Sequence, residues 1–236
     1  GEGKKMSKSL GNVVAPQEVI ERYGAEILRL WVAAEDYRDD IRISEEILKR
    51  LAEGYRRIRN TCRYLLGNLS DFQPAHDALP LNELDEIDQF ILHRLERLTE
   101  RLRRAYETCE FHLLYHSLHN FCAVDLSAFY LDVLKDRVYT SAPRSRARRA
   151  AQTSMYQILD ALVRLMAPVL SFTADEVWQA MPKKGGEVES VHLAEFLLVR
   201  PDLLDEALEA RWEDLLSVRD EVLKALEAAR QAKLIG

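Results

Sequence analysis

The sequence contains few cysteines and no long apolar run, and these shortages exclude whole classes of protein. Its three cysteines, Cys62, Cys109 and Cys122, lie far apart and form no CxxC pair, which argues against a disulfide framework. No stretch approaches the roughly 20 apolar residues that cross a bilayer. The polar, glycine-rich first residues have the composition of neither a signal peptide nor a transit peptide. We therefore expect a cytoplasmic protein with no membrane partner.

Strand signals, repeats of fixed period and low-complexity segments are also missing, whereas helical periodicity runs through almost everything after Ser44. Ser44 has the character of an N-cap, because the carboxylates of Glu45 and Glu46 follow it and favour the helix dipole. Further helices are predicted from about residue 84, over about 111–138, between Pro143 and Pro168, from a capping box of Thr173 and Glu176, and over about 205–234.

Four or five long helices with short connections predict an all-α fold, a helical bundle over residues 44–236. Residues 1–43 are punctuated by glycine and end in a charged turn, so we interpret them as the tail of a preceding domain and a connector. Trp31, Trp178 and Trp212 lie on apolar stripes and are predicted core residues. For Trp178, stacking on an RNA base is the alternative.

The net charge of −6 is distributed unevenly along the chain. Segments 49–63 and 135–149 each hold six basic residues against one acid, while 202–227 holds nine acids against three basic residues. A protein with concentrated basic segments can attract a polyanion locally even when its net charge is negative. The acidic balance therefore does not exclude nucleic acid as a partner.

The first basic segment places several polar side chains on one helical face. Arg56, Asn60 and Arg63 are spaced i, i+4 and i+7, opposite an apolar stripe, and Arg59 lies beside them. One interpretation is a solvated face. The other is an RNA contact, in which arginine forks bind phosphates and the amide reaches base edges.

The second basic segment flanks a turn at Pro143 and contains Lys135, Arg137 and Arg144. A phosphate-tracking patch and merely solubilising charge are equally supported by this pattern. Nearby, His112, His116 and His119 follow helical spacing next to two cysteines, which is the most tempting arrangement for zinc. Histidines in such an apolar context more often pack than ligate, so no metal site is predicted.

Lysines and serines between glycines mark the segment GEGKKMSKSLGN, residues 1–12. Its composition alone fits a solvated linker, or a mobile loop that closes over phosphates. The string Lys5-Met6-Ser7-Lys8-Ser9, however, is the KMSKS signature of class I aminoacyl-tRNA synthetases. Residues 10–44, 55–72, 84–95, 129–139 and 172–178 resemble the isoleucyl branch of that family, with the valyl branch as the alternative.

The resemblance implies roles for both parts of the chain. Residues Lys5, Met6, Ser7, Lys8 and Ser9 would form a loop beside ATP and Mg²⁺, and Lys8 would be catalytic by stabilising the leaving pyrophosphate. The bundle would bind the stem and anticodon of tRNA(Ile), through Arg56, Arg59, Asn60, Arg63, Lys135, Arg137 and Arg144. The whole protein would join isoleucine to its tRNA.

Several family features are missing from these 236 residues. In the family, the HIGH motif, the amino-acid pocket and the editing domain precede the KMSKS loop, so we expect this chain alone to have no aminoacylation activity and no bound cofactor. We also expect it to be a monomer. Three scattered cysteines cannot form the four-cysteine zinc module of many bacterial members. A competing hypothesis is a helical partner-binding module that uses the acidic helix over 205–234.

Overall fold

The computed structural model describes residues 5–235, without the Lys8 side chain, and these residues contain helices and no strand. This confirms the predicted all-α bundle. The helices are α1 (Pro16–Tyr23), α2 (Ala25–Ala34), α3 (Glu45–Asn68), α4 (Pro74–Asp77), α5 (Glu86–Glu107), α6 (Phe111–Asn120), α7 (Leu131–Val133), α8 (Lys135–Thr140), α9 (Arg146–Met166), α10 (Ser171–Ala180) and α11 (Glu206–Gln231). A π-helical segment, Phe121–Tyr130, joins α6 to α7.

Helix α3 begins as the sequence predicts. The Ser44 side chain accepts a hydrogen bond from the backbone N–H of Ile47, 3.2 Å away, so it satisfies one of the amides that the first turn leaves unpaired. The helix then buries an apolar stripe that includes Ile58, Cys62 and Leu65. That stripe fixes which face of α3 points to solvent.

Helices α5 and α9 pack together at the centre of the bundle. Helix α9 is buried on nearly every face, whereas α3, α6 and α10 surround this pair and each expose one side. A buried glutamine ties α9 to the end of α3, because the Gln152 side-chain amide donates to the Asn68 carbonyl and to the Asp71 carboxylate, each over 2.8 Å. Helix α3 is thus packed against α2, α6, α9 and α10 and tied to α9 at its C-terminal end.

The segment predicted as one helix over 111–138 is not regular. Ten residues, Phe121–Tyr130, adopt π-helical hydrogen bonding, and the chain turns again at Leu134 before α8. This segment buries Phe121, Cys122, Leu126, Phe129 and Tyr130 while its backbone follows the wider π turn. The prediction of a single α-helix was therefore wrong here.

The predicted capping box of Thr173 and Glu176 was also wrong. Helix α10 begins at Ser171, and its first amides are capped by Glu26 of α2, whose Oε1 accepts from Phe172 N and Thr173 N over 2.9 and 3.0 Å. The Thr173 hydroxyl also contacts Glu26 and lies 2.7 Å from the Tyr55 hydroxyl. A long-range carboxylate thus replaces the local cap.

Helix α11 forms as predicted and is attached to the bundle mainly through its first half, with Arg219 as a further contact that donates to the Ala128 carbonyl over 3.0 Å. Asp205 caps it by accepting from Leu208 N over 2.9 Å, and the Trp212 ring stacks on Phe90 of α5 with 5.1 Å between centroids. Leu208 is the one residue of this helix that is fully buried. No helix in the described range 5–235 is long and apolar enough to span a membrane.

Candidate nucleic-acid interface

The basic face of α3 is exposed along its whole length. We define it as the side chains that point away from the buried stripe of this helix, namely Arg56, Arg57, Arg59, Asn60 and Arg63. Burial of the opposite face raises the pKa of the Cys62 thiol to about 12, so that cysteine has a packing role. The structure therefore brings together the four predicted contact residues of this segment and adds Arg57.

Arg59 differs from its neighbours because it already has a protein partner. Its guanidinium binds Glu176 of α10 in a bidentate ion pair, with N–O distances of 2.8 and 3.0 Å, and this pair lowers the pKa of the Glu176 carboxyl. Among the residues that the structure describes, Arg56, Arg57 and Arg63 have no ion-pair partner. Those three guanidinium groups are available to an external anion.

The second basic segment is mostly committed to the fold. Arg137 binds the fully buried Asp88, with Arg137 Nη2 at 2.7 Å from Asp88 Oδ2, and the Tyr130 hydroxyl donates to the same carboxylate over 2.7 Å. Burial and the Asp88 charge raise the pKa of Tyr130. Arg137 therefore neutralises an interior charge, and its guanidinium is occupied by Asp85, Asp88 and the Ala147 carbonyl.

Two of the predicted contact residues of that segment, Lys135 and Arg144, remain accessible. Lys135 is exposed and pairs with Asp132 over 2.8 Å, an arrangement that contributes little at a solvated surface. Arg144 is exposed in the turn before α9 and has no ion pair among the described residues. The arginines that follow it at 148 and 149 instead bind Asp71.

The signature loop folds around a residue that the sequence patterns did not single out. The Asn12 side chain accepts from the Ser7 backbone N–H over 2.8 Å and donates to the Lys5 carbonyl over 3.2 Å. The hydroxyls of Ser7 and Ser9 lie 2.7 Å apart, and Met6 is exposed. The Lys8 side chain, predicted to be catalytic, lies outside the described residues. The sequence does contain a signal for the role of Asn12, because asparagine side chains close local turns by bonding nearby backbone groups.

The histidine-rich region and Trp178 differ in how their polar atoms are satisfied, because His112 Nδ1 is buried without a hydrogen-bond partner in the described structure, whereas Trp178 Nε1 donates to the Val188 carbonyl. Within residues 5–235 no cluster of three or more metal-ligating side chains is present. Burial, Arg57 and His116 together lower the pKa of His119, which packs near the Tyr115 ring. The buried Trp178 ring lies near Arg164 and Lys183, so its faces are covered by protein.

An all-helical bundle with a solvated arginine face has the features of an RNA-binding domain. A family model described as the anticodon-binding domain of tRNA ligase matches residues 88–236. A second model, described as tRNA synthetases class I (I, L, M and V), matches residues 1–44. The chain belongs to the family of the anticodon-binding domain of tRNA ligases.

Relatives of known name are similar over the whole chain. Isoleucine–tRNA ligases from Syntrophotalea carbinolica and Geobacter sulfurreducens are each 61% identical over 236 residues, which is 100% of this chain and 25% of each relative. The isoleucine–tRNA ligase from Natranaerobius thermophilus is 54% identical over the same length. These matches confirm the resemblance to the isoleucyl branch, and the chain spans about a quarter of the length of these relatives.

A solved structure shows the same fold at low sequence identity. It is the LeuRS of Agrobacterium radiobacter K84 in a ternary complex with tRNA and LeuAMS, and it aligns with 86% of this chain and 23% of its own. The TM-score is 0.66 and the sequence identity is 20%. The likeness therefore concerns the arrangement of helices.

Proposed function

We propose that this chain is the tRNA-binding part of an isoleucine–tRNA ligase, and that it binds tRNA(Ile) through the basic face of α3. The observation that carries the proposal is the exposure of Arg56, Arg57 and Arg63 on one rigid helix, without ion-pair partners in the described structure. Guanidinium forks match phosphate oxygens in two-point contacts. The whole ligase would join isoleucine to its tRNA at the expense of ATP, with Mg²⁺.

The contacts divide into those that position RNA and those that read it. Arg56 and Arg63 bind phosphates, and Asn60 between them offers both a donor and an acceptor to a base edge. Lys135 and Arg144 add phosphate contacts from the second segment. Arg59 would exchange part of its bond with Glu176 for RNA, which makes its net contribution smaller.

The signature loop takes part in the activation step of the same ligase. Lys8 would place a positive charge where negative charge builds up on the leaving pyrophosphate. Lys5, Met6, Ser7 and Ser9 line the loop beside the nucleotide. The bonds that Asn12 makes to Ser7 and Lys5 fix the loop geometry that these contacts require.

Fluorescence anisotropy with labelled tRNA(Ile) and an unrelated tRNA tests the proposal. We expect binding that prefers tRNA(Ile) and weakens steeply with salt. In the double variant R56E/R63E, affinity should fall by at least about 30-fold and the salt slope should decrease by about two, one for each phosphate contact.

The matched control is R211E/R230E, which makes the same charge change on exposed arginines of α11. It should bind nearly as the unaltered protein does. Equal losses in both double variants would reduce the effect to net charge and contradict a local α3 site. Absence of tRNA binding at low salt would instead support the partner-binding module.

A further inference from the structure

A groove of about 500 Å³ lies between α5 and the junction of α6 with the π-helical segment. Helix α5 lines it with arginines at i, i+3 and i+7, and the other wall is α6 and the start of the π-helical segment. π-Helical turns occur frequently at functional sites because they displace side chains from the regular spacing. The principal side chains are Arg94, Arg97, Arg101, His116, Ser117 and Asn120.

The two ends of the groove differ in charge. At one end Arg94 binds Asp125 over 3.1 Å and Arg97 binds Glu206 of α11 over 3.2 Å. At the other end Arg101 is exposed, and within the described structure no carboxylate lies at ion-pair distance from it. The fully buried Ser117 hydroxyl also lines the groove and has no hydrogen-bond partner in the described structure. The Arg101 end thus has donors and positive charge without an anion.

Helix α6, one wall of this groove, packs against α3. Helix α6 approaches α3 at Gly54, where a Cβ atom would lie 2.2 Å from the Tyr115 hydroxyl and 3.3 Å from the His119 ring. Because α6 is this close, Arg57 of the α3 face lies near His119, which lines the groove. A polyanion that follows α3 past Arg57 would therefore meet the groove at His119, which lines it together with Arg101.

We propose that the Arg101 end of this groove binds a phosphate group of the RNA backbone and extends the basic face of α3 onto α5. Arg101 supplies the two-point guanidinium contact, and His116 stands on the opposite wall as a second donor. The inference rests on the proposed tRNA binding, because it places a further contact of the same ligand. The ion-paired Arg94 and Arg97 hold the groove in shape and take no part in the contact.

The test is tRNA anisotropy with R101E and with R104E, each made in the 236-residue chain. Both arginines are exposed on α5, but Arg104 does not line the groove, so the two variants share their charge change and differ in location. We expect R101E to bind about tenfold more weakly and to lose about one unit of salt slope, and R104E to change affinity less than about twofold. The variant R101Q should show an intermediate loss, and thermal melts should confirm that all three variants are folded.

The outcomes separate this inference from the function on which it rests. If R56E/R63E abolishes binding while R101E and R104E behave alike, the groove contact is overturned and tRNA binding by α3 stands. If the unaltered chain binds no tRNA, both fail. A loss in R101E that exceeds that in R104E, together with a reduced salt slope, supports the groove.

Discussion

Helices α3 and α11 have similar lengths but differ in how much of their apolar face is buried against the rest of the molecule. Both have an N-cap that accepts a backbone hydrogen bond, and both carry an apolar stripe. Helix α3 buries its stripe against the core, whereas on α11 Leu215, Val218 and Val222 are 51%, 64% and 52% exposed. Helical periodicity therefore identifies the apolar face of a helix, and only the tertiary structure shows whether that face is covered.

The two helices also differ in the sign of the charge on their polar faces. On α3 the polar face is basic and lies on a rigid support. On α11 acidic residues dominate, and Glu206, Glu209 and Glu213 pair with Arg94 and Arg97 of α5. The acidic helix thus packs on α5, where its carboxylates occupy Arg94 and Arg97 at the ion-paired end of the groove.

Truncation of one leucine on each helix should give the largest contrast. Leu65 of α3 is fully buried, so L65A leaves a cavity and should lower the free energy of unfolding by about 2–5 kcal/mol. L215A removes a half-exposed side chain from α11 and should change the free energy of unfolding by less than about 0.5 kcal/mol. Urea unfolding measures both, and similar losses would mean that α11 packs as firmly as α3.

Substitution of two glycines of α3 by alanine should change the stability of the protein in opposite directions. A Cβ at Gly54 would collide with Tyr115, so G54A should destabilise the protein by about 1–3 kcal/mol through overpacking. Gly67 lies on the same helix, with no atom within 4 Å of an added Cβ. G67A should therefore stabilise by about 0.5–1 kcal/mol, because alanine favours the helix. Thermal unfolding of both variants checks the sign, and a stabilising G54A would contradict the close contact of α6 with α3.

Removal of the two N-caps should have the smallest effect and the most local one. S44A should lower global stability by about 1 kcal/mol, because α3 unfolds with the core. D205A should leave the unfolding midpoint nearly unchanged and speed amide hydrogen exchange within α11. Uniform acceleration of exchange across the bundle in D205A would show that α11 is part of the cooperative core.

Local patterns predicted the features that depend on neighbouring residues in the chain. The cap at Ser44, the exposed face of Arg56, Asn60 and Arg63, and the extent of α11 follow from spacing and residue type. The position of Arg137 did not follow, because its partner Asp88 lies 49 residues away in the sequence. Burial of that carboxylate decides the role of the arginine, and spacing contains no information about it.

The same limit applies to the groove on α5. Arg101 belongs to a helix whose charges alternate, and nothing in its own segment distinguishes it from Arg104. Its distinction comes from α6, which supplies the opposite wall of the groove and also packs against α3 at Gly54. Candidate site residues on different helices become visible together only once the packing is known.

The cap that Glu26 gives to α10 has a consequence for where the chain can be divided. The predicted boundary lies at residues 43 and 44, yet the Glu26 carboxylate satisfies two amides that are 146 and 147 residues further along. Arg29 of the same helix also donates to the carbonyls of Pro168 and Val169. A protein that starts at Ser44 would lose these bonds and expose the α10 terminus, so we expect it to be less stable than a protein that keeps α2.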